Sequence, residues 1–317
     1  MTTIGVPTQS KVPTRALVWF GWLTLSFMVL VVLWGAVVRA TGSGAGCGAN
    51  WPLCNGDFFP HHPRIATVIE FTHRSMTGIC TFMVVGLAFW TFAGTPRGHR
   101  ARRAVVWSIV LLVTEALLGA ALVLLGYVQM NVSAGRIVTQ VIHFTNTLML
   151  LGALSLTAWF LGRQDRRLSP VSGSWRGTAL LAVAATVVVG ATGSLAALAD
   201  TLFPSTSLLA GLAQDFASSS PLIVRMRWIH PAAAVVGLIC VVALARQVRT
   251  KLSAIVAGLI VLQILIGVLD ILLLAPTWMQ VLHLLGADVY WVALVGLAAE
   301  ILWPETVSSS ARANAAA

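Results

Sequence analysis

The sequence has 317 residues, of which 58% are hydrophobic and only 9% are Asp, Glu, Lys or Arg, against roughly 25% charged residues in a soluble domain. So little charge cannot cover a soluble surface of this size, which excludes the soluble globular, disordered and disulfide-scaffold classes. The apolar residues also run continuously instead of alternating, which excludes an outer-membrane barrel. The net charge of +10 fits basic loops facing anionic membrane lipid and not nucleic acid, because no basic stripe lies outside the loops.

A membrane span requires about 20 mostly apolar residues. In chain order, eight windows qualify: 17–40, 65–93, 104–126, 136–161, 177–199, 222–246, 252–274 and 277–303. The fold class is therefore all-α, a polytopic membrane protein of eight transmembrane helices. Residues 1–13 and 304–317 are polar or small and predict flexible ends. The first apolar run is too long for a cleavable signal peptide, and no small-residue cleavage site follows it directly.

Basic residues orient the spans. Lys11 and Arg15 precede the first. Arg97, Arg100, Arg102 and Arg103 join the second to the third, Arg163, Arg166, Arg167 and Arg176 the fourth to the fifth, and Arg246, Arg249 and Lys251 the sixth to the seventh. These loops alternate with loops poor in Lys and Arg, which predicts a multi-pass protein of the cell membrane with both termini cytoplasmic. Trp19, Trp22, Trp90, Trp107, Trp159, Trp175 and Trp303 then fall near the inner boundary, and Trp34, Trp228 and Trp278 near the outer one.

The two halves resemble each other. Gly35-Ala-Val-Val-Arg-Ala-Thr41-Gly-Ser43 ends span 1, and Gly190-Ala-Thr192-Gly-Ser194 lies in span 5; Glu115-Ala-Leu-Leu-Gly119 in span 3 is echoed by Gln263-Ile-Leu-Ile-Gly267 in span 7. The matches share an order and an offset of roughly 150 residues, which predicts two parallel four-helix repeats related by an axis along the membrane normal. The repeats cover 14–168, with an outer loop at 41–64, and 169–303.

Four of the seven histidines, His73, His143, His230 and His283, sit in spans 2, 4, 6 and 8, roughly 9–14 Å below the outer end of each span at 1.5 Å per residue. Polar side chains at this depth face a bundle interior or a cavity. Two imidazoles per bundle at matched depth suit axial ligation of haem iron, whereas zinc takes three or four ligands including Cys or carboxylate. Arg39, Arg64, Arg74, Arg136, Arg225 and Arg227 also lie near the outer ends of spans. Some of them are expected to pair haem propionates, Arg225 and Arg227 in the C-terminal half, and others to anchor at the interface.

Glu70 lies three residues before His73 and shares its helix face; Arg227 holds the same position before His230. One half thus carries an acid beside its histidine, fit for proton transfer or cation stabilisation, and the other a base. Glu115 falls mid-span, where a carboxylate must be protonated or paired. Cys47 and Cys54 share the first outer loop, where either a structural bridge or a redox-active dithiol is chemically open. Their C-x6-C spacing matches neither zinc nor thioredoxin motifs and favours the bridge. Cys80 and Cys240 read as core residues.

The string Arg39-Ala-Thr-Gly-Ser-Gly44 followed by Cys47, Trp51-Pro52 and Cys54, and Ile69-Glu-Phe-Thr-His-Arg74 after it, resembles the haem A synthase family. Further matches in the same order are Val141-Ile-His-Phe-Thr145, Arg227-Trp-Ile-His230 and His283-Leu-Leu-Gly-Ala-Asp-Val-Tyr-Trp291, so that the similarity runs from about residue 15 to 303. The resemblance implies oxidation of a haem O methyl group to a formyl group, yielding haem A for cytochrome oxidase. It implies a bis-histidine haem b on His230 and His283, a haem O substrate site lined by His73 and His143, a catalytic Glu70 and a Cys47–Cys54 disulfide. A haem O synthase is the partner such an enzyme would meet; the electron acceptor is not specified. Pro231 and Glu115 depart from the family pattern. Pro231 removes a helix hydrogen bond next to His230. A di-haem b-type electron carrier explains the four histidines as well but not Glu70, and a transporter places its site nearer the midplane.

Overall fold

The computed structural model describes residues 12–163 and 173–303. The boundary expected between the repeats at 168 and 169, and nearly all of the two expected flexible ends, lie outside the described residues. Ten helices occur among the described residues: α1 (Arg15–Ala40), α2 (Ile65–Gly94), α3 (Arg100–Leu124), α4 (Ala134–Gly162), α5 (Gly173–Leu202), α6 (Leu208–Phe216), α7 (Leu222–Arg225), α8 (Ile229–Val248), α9 (Lys251–Leu272) and α10 (Thr277–Leu302). Eight stretches are long and apolar enough to cross a bilayer, with α7 and α8 counted together. The chain is a multi-pass helical membrane protein.

Local chemistry sets the helix ends. Thr14 Oγ1 and Ser133 Oγ accept the Leu17 and Arg136 amides at 3.3 Å, opening α1 and α4. Thr250 and Ser253 form a reciprocal capping box on α9. The expected sixth span is broken into α7 and α8. Pro231 has no N–H, so a helix running unbroken from 222 would leave the Arg227 carbonyl without its partner. The chain instead tightens through residues 226–228, and the Arg227 carbonyl accepts the His230 amide at 3.2 Å. Pro231 then falls in the first turn of α8, where its missing donor costs nothing.

The helices form two closed rings. α1, α2, α3 and α4 pack in sequence, with α4 back against α1; α5, α8, α9 and α10 do the same, with α10 back against α5. α4 and α1 of the first ring meet α5 and α10 of the second. Exchanging α1 with α5, α2 with α8, α3 with α9 and α4 with α10 maps this set of neighbours onto itself. The periphery is apolar and open: Phe82 and Phe89, two turns apart on α2, are 81% and 78% exposed, which suits contact with acyl chains.

The seam between rings is dense. Leu150, Leu151 and Leu154 of α4 and Leu294, Leu297 and Ile301 of α10 are almost wholly buried. Trp291 seats its ring over Gly152 and donates its indole N–H to the Leu148 carbonyl at 2.8 Å. Reciprocally, Trp159 of α4, read from sequence as a boundary residue, packs against Gly296 of α10. At the histidine end Arg39 reaches from α1 to the second ring. Its guanidinium donates to the Ala197 carbonyl (2.6 Å), Thr201 Oγ1 (2.5 Å) and Gln280 Oε1 (2.8 Å).

A β-carbon on Gly296 would stand 2.9 Å from Trp159 Cζ3. Gly296→Ala should therefore overpack the seam and cost about 1–3 kcal/mol, read as a lower thermal midpoint in detergent. Gly258→Ala on α9, where a β-carbon meets nothing within 4 Å, should leave the midpoint unchanged or raised.

Candidate functional site

His230 of α8 and His283 of α10 face each other with ring centroids 6.3 Å apart and planes at 85°. A metal–imidazole bond of about 2 Å and about 1 Å from nitrogen to ring centre, on both sides of one iron atom, require a separation of about 6 Å. The Nδ1 atoms point away from such a centre toward protein partners. His230 Nδ1 lies 3.2 Å from the Val189 carbonyl, which can accept only if Nδ1 carries the proton. His283 Nδ1 lies 3.0 Å from the Gln263 side-chain amide. The Val189 carbonyl thereby leaves His230 Nε2 as the ligand atom; at His283 the same tautomer requires the Gln263 amide to turn over, so that its oxygen accepts from Nδ1. Among the described residues no group of three or more His, Cys, Asp or Glu could hold a bare ion. The pair fits haem iron.

Glycine makes room for these rings. A β-carbon on Gly193 of α5 would stand 2.9 Å from His230 Cε1, and one on Gly267 of α9 would stand 3.0 Å from His283 Cε1. The first ring repeats the device. Gly35 of α1 faces His73 at 3.0 Å and Gly119 of α3 faces His143 at 3.7 Å, by the same measure. His73 and His143 are within electrostatic range of each other. His73 Nδ1 is buried with no hydrogen-bond partner among the described residues. His143 Nδ1 lies 3.4 Å from Glu115 Oε1, in contact but not aligned as a hydrogen bond.

Glu70 is 3% exposed, and three donors hold its carboxylate in place. Oε1 accepts Arg74 Nη2 at 2.5 Å and Nε at 3.1 Å, a bidentate pair one helical turn apart; Oε2 accepts the backbone N–H of Cys47 at 2.8 Å. Arg74 is anchored in turn, donating Nη1 to the Asn50 and Leu53 carbonyls at 2.6 Å each. The 41–64 loop therefore lies down on the start of α2. Thr67 Oγ1 donates to the Gly46 carbonyl at 2.8 Å, and Gly46 approaches Ala66 too closely for any β-carbon. Cys47 and Cys54 are joined by a disulfide, both buried beneath this loop.

The arginines are placed differently from the sequence expectation. Arg227 is buried, and its guanidinium is taken up by Asp200 of α5 at 2.9 Å and Asp215 of α6 at 2.7 Å. Asp200 lies in the last turn of α5, and Asp215 in a segment that hydropathy reads only as a loop. Arg225 ends α7 and is exposed. Arg39 and Arg136 are occupied by protein acceptors, the latter by the Gln129 and Asn131 carbonyls. Gln263 and the four ring-facing glycines were missed as site residues. The repeated Glu/Gln-x-x-x-Gly string was the signal for Gln263, Gly119 and Gly267, and the matched small-residue strings of spans 1 and 5 hold Gly35 and Gly193.

A family model described as cytochrome oxidase assembly protein matches residues 18–295. The chain is 41% identical over 291 residues to a protein of Thermus thermophilus named Protoheme IX farnesyltransferase, covering 89% of this chain and 48% of that protein. It is 34% identical over 163 residues to the Heme A synthase of Geobacillus kaustophilus, covering 51% and 49% of the two chains. To the Heme A synthase of Bacillus licheniformis it is 41% identical over 112 residues, 35% and 37% of the two chains. The matched stretches thus span about half or less of these relatives' length. The match across most of its length places this chain in the cytochrome oxidase assembly protein family.

Proposed function

We propose that the chain is a haem A synthase of the cell membrane, with both termini cytoplasmic, which oxidises a methyl group of haem O to a formyl group. The observation that carries this reading is the asymmetry of two histidine pairs, one of them with a fixed acid on the helix of its first histidine. His230 and His283 stand at the separation one iron atom requires, and among the described residues only the other pair has a carboxylate, Glu70, fixed one turn before its first histidine. The names of the synthase relatives agree with it. We read the two rings as repeats 14–168 and 169–303.

In this reading His230 and His283 hold haem b, which supplies one-electron chemistry when bound. His73 and His143 line the slot for the haem O substrate. Glu70 does the local work. Arg74 and the Cys47 N–H fix its direction, and three donors on a group with about four acceptor positions leave one for a water proton or a developing positive charge. Burial excludes bulk water from the same spot. Haem O is a farnesylated protohaem, so a protohaem farnesyl transfer must supply it. A relative named for that transfer, 48% of which this chain matches, supports a haem O-forming partner.

Cells given this chain with a haem O source should yield haem A on pigment chromatography; protohaem and unchanged haem O alone would sink the reading. Glu70→Gln should lower haem A formation by about 100-fold or more while the purified protein keeps its haem b absorption. Gly193→Ala and Gly267→Ala should each weaken haem b retention by about tenfold or more. Gly119→Ala, with ordinary contact distance to spare, should leave haem b content unchanged.

A further inference from the structure

We propose that Glu115 is the positioning residue for His143, and that the Glu115/Gln263 difference sets the two haem sites apart electronically. This inference rests on the function proposed above. Glu115 lies in the body of α3, a costly place for a carboxylate, yet its surroundings are built to hold it. Oε2 accepts Asn146 Nδ2 at 2.6 Å, and Oε1 accepts the Thr147 hydroxyl in a short hydrogen bond. Asn146 is itself fixed, donating to the Leu111 carbonyl at 2.9 Å and accepting from Thr114 Oγ1 at 2.7 Å. Asn146 and Thr147 are three and four residues after His143 on α4, so the carboxylate is clamped on the histidine's own face. It sits 3.4 Å from His143 Nδ1, an atom with no hydrogen-bond partner of its own.

The second ring puts an amide in the same place. Gln263 precedes Gly267 by four residues as Glu115 precedes Gly119, and each glycine faces the corresponding histidine ring. Gln263 Nε2 lies 3.0 Å from His283 Nδ1 and donates to the His283 carbonyl at 2.5 Å. His230 uses a backbone carbonyl and His73 has no Nδ1 partner among the described residues. Among the described residues, only the His143 ring of the four has a carboxylate at Nδ1.

A histidine bound to iron through Nε2 must carry its proton on Nδ1. At His143 the nearest acceptor for that proton is Glu115 Oε1, and a small turn of the ring closes the bond. A carboxylate acceptor fixes the tautomer and makes the imidazole a stronger donor than an amide acceptor does. The His73/His143 site therefore favours ferric over ferrous haem more than the His230/His283 site does.

The test uses the purified full chain in detergent, with resident haem b on His230 and His283 and ferric protohaem added to the other pair. Glu115→Gln should weaken binding of the added haem by about 10–100-fold and raise its midpoint potential. The resident haem's spectrum and potential should stay unchanged, which also reports an intact fold. Gln263→Glu should do the opposite at the resident haem, lowering its potential. Wild-type affinity and potential in Glu115→Gln would overturn the inference and leave the proposed function standing, as would an equal shift of both haems. Failure of the wild-type chain to take haem at either pair would overturn the proposed function itself.

Discussion

Everything at the candidate site depends on one close approach: an imidazole edge against a glycine of the neighbouring helix. With a methyl group there, His230 or His283 could not hold its present place, because the added carbon would sit about 3 Å from ring atoms. The absent side chains bring helices together and also set the two rings with their centroids 6.3 Å apart. Dense packing elsewhere makes that separation stiff. The α4–α10 seam locks reciprocal Trp–Gly contacts, and Arg39 ties the first ring to the second at the histidine end. A ligand pair set by helix backbones in a packed bundle does not relax to fill its own slot.

On this shared frame the two halves diverge through a few charges. The residue three before the histidine is Glu70 in one half and Arg227 in the other; the residue one after it is Arg74 in one and Pro231 in the other. Glu70 finds its counter-charge one turn along its own helix. Arg227 cannot, since Pro231 stands where that partner would be, and it draws on Asp200 and Asp215 from across the 203–221 segment. One half ends with a carboxylate pinned by Arg74 and the Cys47 N–H, the other with a guanidinium taken up by two carboxylates.

Much of this was legible in the sequence. The eight spans follow from apolar length alone, and the four histidines from polar groups that hydrocarbon would not tolerate unpaired. The Cys47–Cys54 bridge agrees with its spacing. What was not legible depends on lateral partners that no periodicity encodes. Hydropathy read 222–246 as one helix because Pro231 is apolar; its missing donor breaks the span only through the backbone. α6 is too short to register as a span, so Asp215 could not be assigned to Arg227. The arginines near the span ends were read as propionate partners because their charge was visible and their protein acceptors were not.

The 41–64 loop belongs to the site as much as the helices do. A carboxylate on α2 with only Arg74 as partner would be free to swing about its side-chain torsions, since both groups are long and share one helix. The Cys47 N–H removes that freedom by approaching from a different direction, and the same loop's Asn50 and Leu53 carbonyls fix Arg74 from behind. The Cys47–Cys54 disulfide closes this segment into a single unit, so the donor to Glu70 and the acceptors for Arg74 move together or not at all. The acid's direction is thus set by a loop that reads as a mere connection between spans. A short stretch rich in Gly, Pro and Cys can fold tightly enough to present three backbone groups at one point.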